Sequence, residues 1–488
     1  MKTLTVKDNL SKKFQGYLLV LGLTTSAFNI YPALLIPILI AMALLIYGLF
    51  TDPKSLNINI FKDIRLFFIL FALINLIYAY LINIDLFSYY LYRWKFKFII
   101  PFLYLLVFGS FVYHEYFYKT IKKTLLLITF MSLFWLLYGI FNPDFYDKSL
   151  YPFRDGKMWE YVSGQKIYLG PFMTHSAAGG FYSVLLLLLM GIFEKTKDLL
   201  RKSFPVILSI LISFTCLILT DSRAFMLGTL IILFFIILRC FFKIIILKNQ
   251  HKLFFLLLTT ILFIFLLGKT FLDYKTTINN NINTILLSNK ISNKKTNFNC
   301  RNCSTRINNI YTRLYFWRIA LDDFNNSPFI GVGPSRFGDD PKIVAAIRED
   351  NIRNSIIKLN KDHPTPIFLK YPFFRVNIGN FYSPSDLHAH NIYINVLAEG
   401  GILIFIIFIL MYYKLLCFIY FVSESTQYEY SGLAKGLFYS IICTAIASFF
   451  GNNLLTVIPM VTIFCVTSFM IGSSPKVAVT SLPEKPSS

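Results

Sequence analysis

The sequence predicts an all-α polytopic membrane protein of about twelve transmembrane helices, with one large external loop domain between helices 9 and 10. Three observations carry that expectation. Of the 488 residues, 56% are hydrophobic and only 15% charged, where a soluble protein averages about 25% charged. Leu, Ile and Phe arrive in blocks of about 20 residues, the length that crosses a bilayer as a helix. Lys and Arg gather in alternate loops, as they do on the cytoplasmic side of membrane proteins.

The apolar stretches fall at 15–31, 32–50, 65–83, 97–113, 122–141, 176–193, 205–220, 224–246, 253–272, 392–413, 434–450 and 454–472. The N-terminal MKTLTVKDNLSKKF is basic, but the apolar run behind it continues into further spans and has no clear small-residue cleavage site, so no cleavable signal peptide is expected. Lys12, Lys13, Lys54, Lys62, Lys119, Lys122, Lys123, Lys195, Lys197, Arg201, Lys202, Lys248 and Lys252 all fall on one side, which the charge bias makes the cytoplasm. Both termini then lie inside, and the tail 474–488 reads as disordered. The chain divides into a membrane domain at 1–272, a large external loop at 273–391 and C-terminal membrane helices at 392–473. A smaller external loop, 142–175, is rich in Tyr, Phe, Pro and Gly.

The formal charge of +22 follows largely from this topology, so nucleic acid is not the expected partner. The informative basic residues lie on the other side. The 273–391 loop holds 16 Lys and Arg against 9 Asp and Glu, a net +7 that topology does not require. Its first part, TTINNNINTILLSNKISNKKTNFN, is an Asn-rich insert. Cys300 and Cys303 form CRNC in this loop; without a second CxxC a zinc site is weakly supported, and a local disulfide is expected if the loop faces an oxidising compartment. Cys216, Cys240, Cys417, Cys443 and Cys465 lie in or beside spans and read as packing residues.

Three basic groups stand out. Arg93, Lys95 and Lys97 in YRWKFKF either snorkel beside an aromatic belt or contact an anion at the membrane surface. Arg223, in LTDSRAFMLG, sits in a very short connection at the edge of hydrocarbon. It either pairs with Asp221 or faces a cavity and binds something negative. Arg313 opens RLYFWRIALDDFNNSPFIGVGPSRF, where a helix would place Arg313, Trp317 and Ala320 on one face, with Phe316 and Ile319 nearby. Asn325 to Pro328 would end that helix and Gly331-Val332-Gly333 would make a tight loop. GVGPSR lacks the third glycine of a dinucleotide fingerprint.

His388-Ala389-His390-Asn391 stands directly before the tenth span. By themselves the two histidines read as interfacial residues with structural bonds. A metal site is less well supported, with no helical i,i+4 partner and no CxxC nearby. Arg313-x-x-x-Trp317, Pro328, Gly331-x-Gly333, Phe337, His390-Asn391 and, nine residues on, Gly401 together resemble the O-antigen ligase and O-antigen polymerase superfamily. Ser222-Arg223 at a short external turn and GPFMTHSAAGGF fit the same pattern, although His175-Ser176 departs from the expected Pro-Asn. The resemblance covers about 169–410; the Asn-rich insert and the CRNC loop are further departures.

The resemblance implies a glycosyltransferase of the bacterial inner membrane with its active site facing the periplasm. Its donor would be an undecaprenyl-pyrophosphate-linked oligosaccharide, its acceptor lipopolysaccharide core (ligase) or a growing glycan (polymerase). Neither a metal nor any other cofactor is implied. Diphosphate is a good leaving group that fixed cations can stabilise; Arg223, Arg313, Arg93 and Lys97 are the candidates. His390 is the candidate catalytic base. Near a helix N-terminus its neutral form is favoured, and neutral imidazole can take the acceptor's proton. Asn391 would cap the helix or bond the acceptor, and His388 would support His390. Gly400 and Gly401 would let a neighbouring helix approach closely, with Glu399 bonding backbone or a second helix. A lipid-linked-sugar transporter or flippase is the competing class. It does not account for a long loop ending in His-Asn, and no paired broken helices are read in the sequence. The extra loop at 142–175 suits a polymerase, the span count and the loop before the tenth span slightly a ligase.

Overall fold

A computed structural model of the chain describes residues 2–28, 31–51, 53, 56–57, 64–82, 99–113, 117–141, 159–162, 165–172, 175–196, 203–247, 253–270, 316–334, 337, 389, 391–450 and 457–473. The elements are α1 (Lys2–Phe28), α2 (Tyr31–Thr51), α3 (Arg65–Ile82), α4 (Ile100–Leu103), α5 (Phe117–Phe141), α6 (His175–Lys195), α7 (Phe204–Leu219) and α8 (Arg223–Leu247). They continue with α9 (Leu253–Thr270), α10 (316–326), α11 (Ile392–Glu424), α12 (Ser431–Ala447) and α13 (Val457–Ser473). Two short strands, Trp159–Val162 and Gln165–Tyr168, pair antiparallel within the smaller loop, Trp159 opposite Tyr168.

Helices are what such apolar blocks must form in lipid, because each backbone N–H and C=O has to be satisfied within its own segment. Among the described residues, seven helices are long and apolar enough to cross a membrane: Leu34–Thr51, Phe117–Phe141, His175–Lys195, Arg223–Phe242, Leu253–Thr270, Ile392–Glu424 and Ser431–Phe450. Arg65–Leu81, Phe204–Leu219 and Pro459–Ser473 are apolar but shorter. Residues 15–28 of the first predicted stretch, 15–31, lie in the longer α1, and Tyr31 already begins α2. The fourth, 97–113, takes a different form: α4 passes at once into a π-helical turn, Tyr104–Phe108. At the widened turn the Tyr104 carbonyl accepts from the Ser468 hydroxyl at 3.2 Å, while the Leu105 carbonyl accepts from the Gly109 amide at 3.0 Å and from the same hydroxyl at 3.5 Å.

Lipid offers no hydrophobic drive between helices, so close packing has to hold the bundle. The centre is α6, whose span is 94% buried, against 22% for Leu34–Thr51 at the periphery. Glycines set its closest contact. A Cβ on Gly191 of α6 would stand 2.1 Å from the Gly436 nitrogen of α12, and one on Gly436 would stand 2.5 Å from the Leu188 Cα. Inside the seam the Ser183 hydroxyl bonds that of Thr229 on α8 at 2.7 Å and Cys443 Sγ on α12 at 3.1 Å. Cys216, Cys240, Cys443 and Cys465 are buried free thiols and Cys417 is half-buried, as expected of packing residues.

Charges gather at both ends of this core. At one end, Glu194 of α6 bonds Lys435 of α12 and accepts from the Tyr439 hydroxyl at 3.1 Å. Arg239 of α8 reaches the same Tyr439 oxygen at 3.4 Å and pairs with Glu424 of α11 at 2.9 Å. At the other end, a Cβ on Gly228 would meet the Cys443 carbonyl at 2.7 Å, and the Tyr393 hydroxyl donates to the Ala445 carbonyl at 2.8 Å. Arg223, about 7.5 Å along the helix from Gly228, and Asn391, just before Tyr393, therefore share the C-terminal end of α12. Gly180 at the start of α6 packs on Phe225 and on Pro459 of α13 at that same end.

Candidate functional site

The start of α11 is fixed by two asparagines one helical turn apart. Asn391 takes an extended backbone conformation at the N-cap, and its Oδ1 accepts from the amides of Tyr393 at 3.0 Å and Ile394 at 3.2 Å. These are orphan donors of the first turn, which the side chain satisfies. Asn395 reaches back so that its Oδ1 accepts from the Ala389 amide at 3.1 Å. Ala389 is fully buried. The backbone between the two histidine positions is thus tied to the helix behind it. His388 and His390 themselves lie outside the described residues.

Ten residues on, α11 breaks. Gly401 has φ 64° and ψ −172°, so two helices meet at a kink. A break frees the carbonyls before it and the amides after it, which must find partners when buried. The loop after α10 supplies them. Val332 and Gly333 donate their amides to the carbonyls of Ala398 and Glu399, each at 2.9 Å. The carbonyls of Pro328 and Phe329 accept from Ile402 at 2.8 Å and Leu403 at 3.5 Å. Gly331 (φ 67°) and Gly333 (φ 111°) let the loop turn as it does. A Cβ on Gly331 would stand 2.5 Å from the Ala398 oxygen, and one on Gly401 would stand 2.4 Å from the Phe329 carbonyl. The expectation that Gly400 and Gly401 admit a neighbouring helix is therefore corrected. What approaches is the backbone of the GVG loop, and the Glu399 main chain is its acceptor. The Tyr78 hydroxyl of α3 donates to the Gly331 carbonyl at 2.8 Å and anchors the loop to the membrane helices.

Above the clamp, Phe316, Ile319 and Ala320 of α10 pack with Phe337, Ala389 and Ala398 in a small separate core. Phe316 and Phe337 meet edge to face at 6.2 Å. Trp317 is half-buried at the margin of this cluster, and its indole N–H has no hydrogen-bond partner among the described residues. α10 ends where expected, the Ser327 amide closing on the carbonyls of Asp323 and Phe324 at 3.1 Å.

Arg223 is exposed at the first position of α8 and makes no ion pair among the described residues. The expected alternative of an Asp221 partner is corrected: Asp221 Oδ1 lies 3.9 Å from Lys269 Nζ, at the end of α9. Asp221 holds a left-handed backbone, φ 48°. Gly179 of α6 seats the turn, since a Cβ there would meet the Ser222 Cβ at 2.2 Å.

This ordered set lies in one stretch of chain, and residues 208–409 match the family described as O-Antigen ligase. No curated protein matches the chain. The match supports the resemblance to the O-antigen ligase and polymerase superfamily, and with it an enzyme of the O-antigen ligase or polymerase type in a multi-pass membrane protein. The matched stretch spans Arg223, Arg313, Trp317, His388, His390, Asn391 and Gly401. Arg93 and Lys97 lie before it. Arg93, Lys97, Arg313, Cys300 and Cys303 also lie outside the described residues. Within the matched stretch, sequence reasoning missed Asn395 and Lys269, and it missed Tyr78 before that stretch. Asn395 was signalled by its spacing of four from Asn391; Tyr78 carries no local signal.

Proposed function

We propose that this protein is a membrane glycosyltransferase that moves a glycan from a polyprenyl-diphosphate donor to a hydroxyl acceptor on the external face, acting as a ligase on lipopolysaccharide core. The observation that carries the reading is the family match across the stretch holding Arg223, Arg313, His390 and Asn391. His390 is the general base. As the acceptor oxygen attacks the anomeric carbon, its proton passes to the imidazole. The carbon–oxygen bond to diphosphate breaks, and the polyprenyl diphosphate leaves with the electron pair. Arg223 and Arg313 stabilise the charge that builds there, with Arg93 and Lys97 as further cations. Direct displacement inverts the anomeric carbon, and no metal takes part.

Three features of the site support these roles. Asn391 and Asn395 hold the backbone on both sides of the His390 position. The Gly401 clamp ties α10, which continues the Arg313 segment, to the same helix. Arg223 is exposed at the matching end of the bundle.

The test is transfer from purified lipid-linked donor to acceptor in the presence of chelator. His390→Ala should lower the rate by roughly 10²–10⁴-fold, and His388→Ala by less. Arg223→Ala and Arg313→Ala should each cost on the order of 10²–10³-fold. Lys at either position should recover only part, because a point charge does not reproduce the guanidinium fork. A His390→Ala enzyme at the wild-type rate, or wild type stopped by chelator, sinks the assignment. The product separates the ligase from its alternative. A deletion strain should carry unsubstituted core and accumulate lipid-linked polymer; core bearing single repeats would make the enzyme a polymerase. Reconstituted protein that carries labelled lipid across a bilayer without forming a glycosidic bond would make it a flippase.

A further inference from the structure

We propose that Lys269 is a second diphosphate-binding cation beside Arg223, held in place by Asp221 until the donor arrives. The inference rests on the donor reading above. It starts from the turn between α7 and α8. Asp221 is the sole positive-φ residue other than glycine among the described residues, at φ 48°. Such a backbone persists where the surroundings impose it. Here they do: Gly179 leaves no room beneath Ser222, and Thr220 closes α7 by donating its amide to the Cys216 and Leu217 carbonyls.

The strained residue has a partner from another element. Lys269, in the last turn of α9, stands 3.9 Å from Asp221 Oδ1, and the two side chains are 30% and 14% exposed. At that separation the pair is a charge contact rather than a direct hydrogen bond. Arg223, two residues beyond Asp221, is exposed and makes no ion pair among the described residues. Lys269 and Arg223 thus bring cations from two different helices to the same turn, at the end of the bundle that carries Asn391. A diphosphate brings at least two negative charges, which one guanidinium leaves partly uncompensated. Lys269 is a flexible, compact cation suited to follow the phosphate as it leaves. Asp221 is a positioning residue: it keeps the ammonium at the turn while the site is empty.

The experiment uses the full-length protein in detergent and a short polyprenyl diphosphate as probe, with the matching monophosphate as control. Lys269→Gln should weaken diphosphate binding on the order of 10-fold and raise the donor KM, with a smaller effect on the monophosphate. Lys269→Arg should bind within a few-fold of wild type. Asp221→Asn should fold and bind less tightly than wild type. The exchange Asp221→Lys with Lys269→Asp should not restore binding, since it keeps the ion pair but moves the cation. Restoration by the exchange makes the pair purely structural and overturns the proposal, as does unchanged diphosphate affinity in Lys269→Gln. Binding lost in Arg223→Ala but intact in Lys269→Gln refutes Lys269 alone. Affinity unchanged in both variants refutes the donor site at this turn.

Discussion

The Asn395 side chain reaches out of its own helix: its Oδ1 accepts from the Ala389 amide, on the far side of the cap. An acceptor at that position holds the chain one residue from His390, so its loss acts on geometry before it acts on stability. Asn395→Ala should therefore lower transfer at least tenfold while shifting thermal stability little, the usual net worth of one hydrogen bond being about 1 kcal/mol. Asn395→Asp keeps the acceptor and should recover most of the rate. Parallel thermal melts and transfer assays decide the matter: equal losses in both measurements for Asn395→Ala would make the residue a plain packing element. Asn391 differs, because it satisfies the orphan amides of the first turn and its loss should cost roughly 1 kcal/mol of stability besides.

At the scale of elements, the break in α11 joins two parts of the chain through backbone alone. The four cross-bonds between 328–333 and 398–403 need close approach and left-handed glycines. Gly401→Ala would put a methyl group against the Phe329 carbonyl and force a positive φ on an L side chain. We expect transfer to fall below detection and the melting temperature to drop by several degrees. Gly331→Ala should do the same through the Ala398 carbonyl. A Gly401→Ala protein with wild-type melting and transfer would show that α11 tolerates a continuous helix. The α10 segment gains its place from this clamp, since its small core with Phe337, Ala389 and Ala398 is separate from the main one.

Across the whole molecule, two polar ends bracket an apolar core, and they carry different risks. Lys435 and Glu194 are nearly buried, with side chains 3% and 12% exposed. Removing one partner leaves the other charge in a low-dielectric interior, which costs on the order of 3–5 kcal/mol, whereas replacing both is often tolerated. Lys435→Met should therefore reduce the folded fraction in membranes, and Lys435→Met with Glu194→Gln should restore it, as fluorescence-detected size exclusion would report. The opposite end is where the proposed chemistry sits, so its sidedness is decisive. Cys300 and Cys303 should react with an impermeant thiol reagent, after reduction, in cells whose inner membrane is intact. Labelling only after that membrane is opened would overturn the external placement and the mechanism with it.

Most of the helices could be read from the residues alone, because a membrane span needs only apolar length and internal backbone bonding, both local properties. The Asn391 cap, the end of α10 near Asn326 and the tight Gly331-Val332-Gly333 turn were legible for the same reason, each resting on contacts within a few residues. The π turn at Tyr104–Phe108 was not, since the Ser468 hydroxyl that takes up its carbonyls comes from α13. Nor was the purpose of Gly401: a glycine pair in an apolar run reads as helix packing until the loop that completes its broken hydrogen bonds is seen beside it. The sequence also left open whether Asp221 pairs with Arg223. Arg223 is its neighbour in sequence, but the ion contact Asp221 makes is with Lys269 on another helix. Bonds closed within a turn of chain are written in the residues themselves, whereas bonds closed across the bundle exist only once packing has chosen which helices meet.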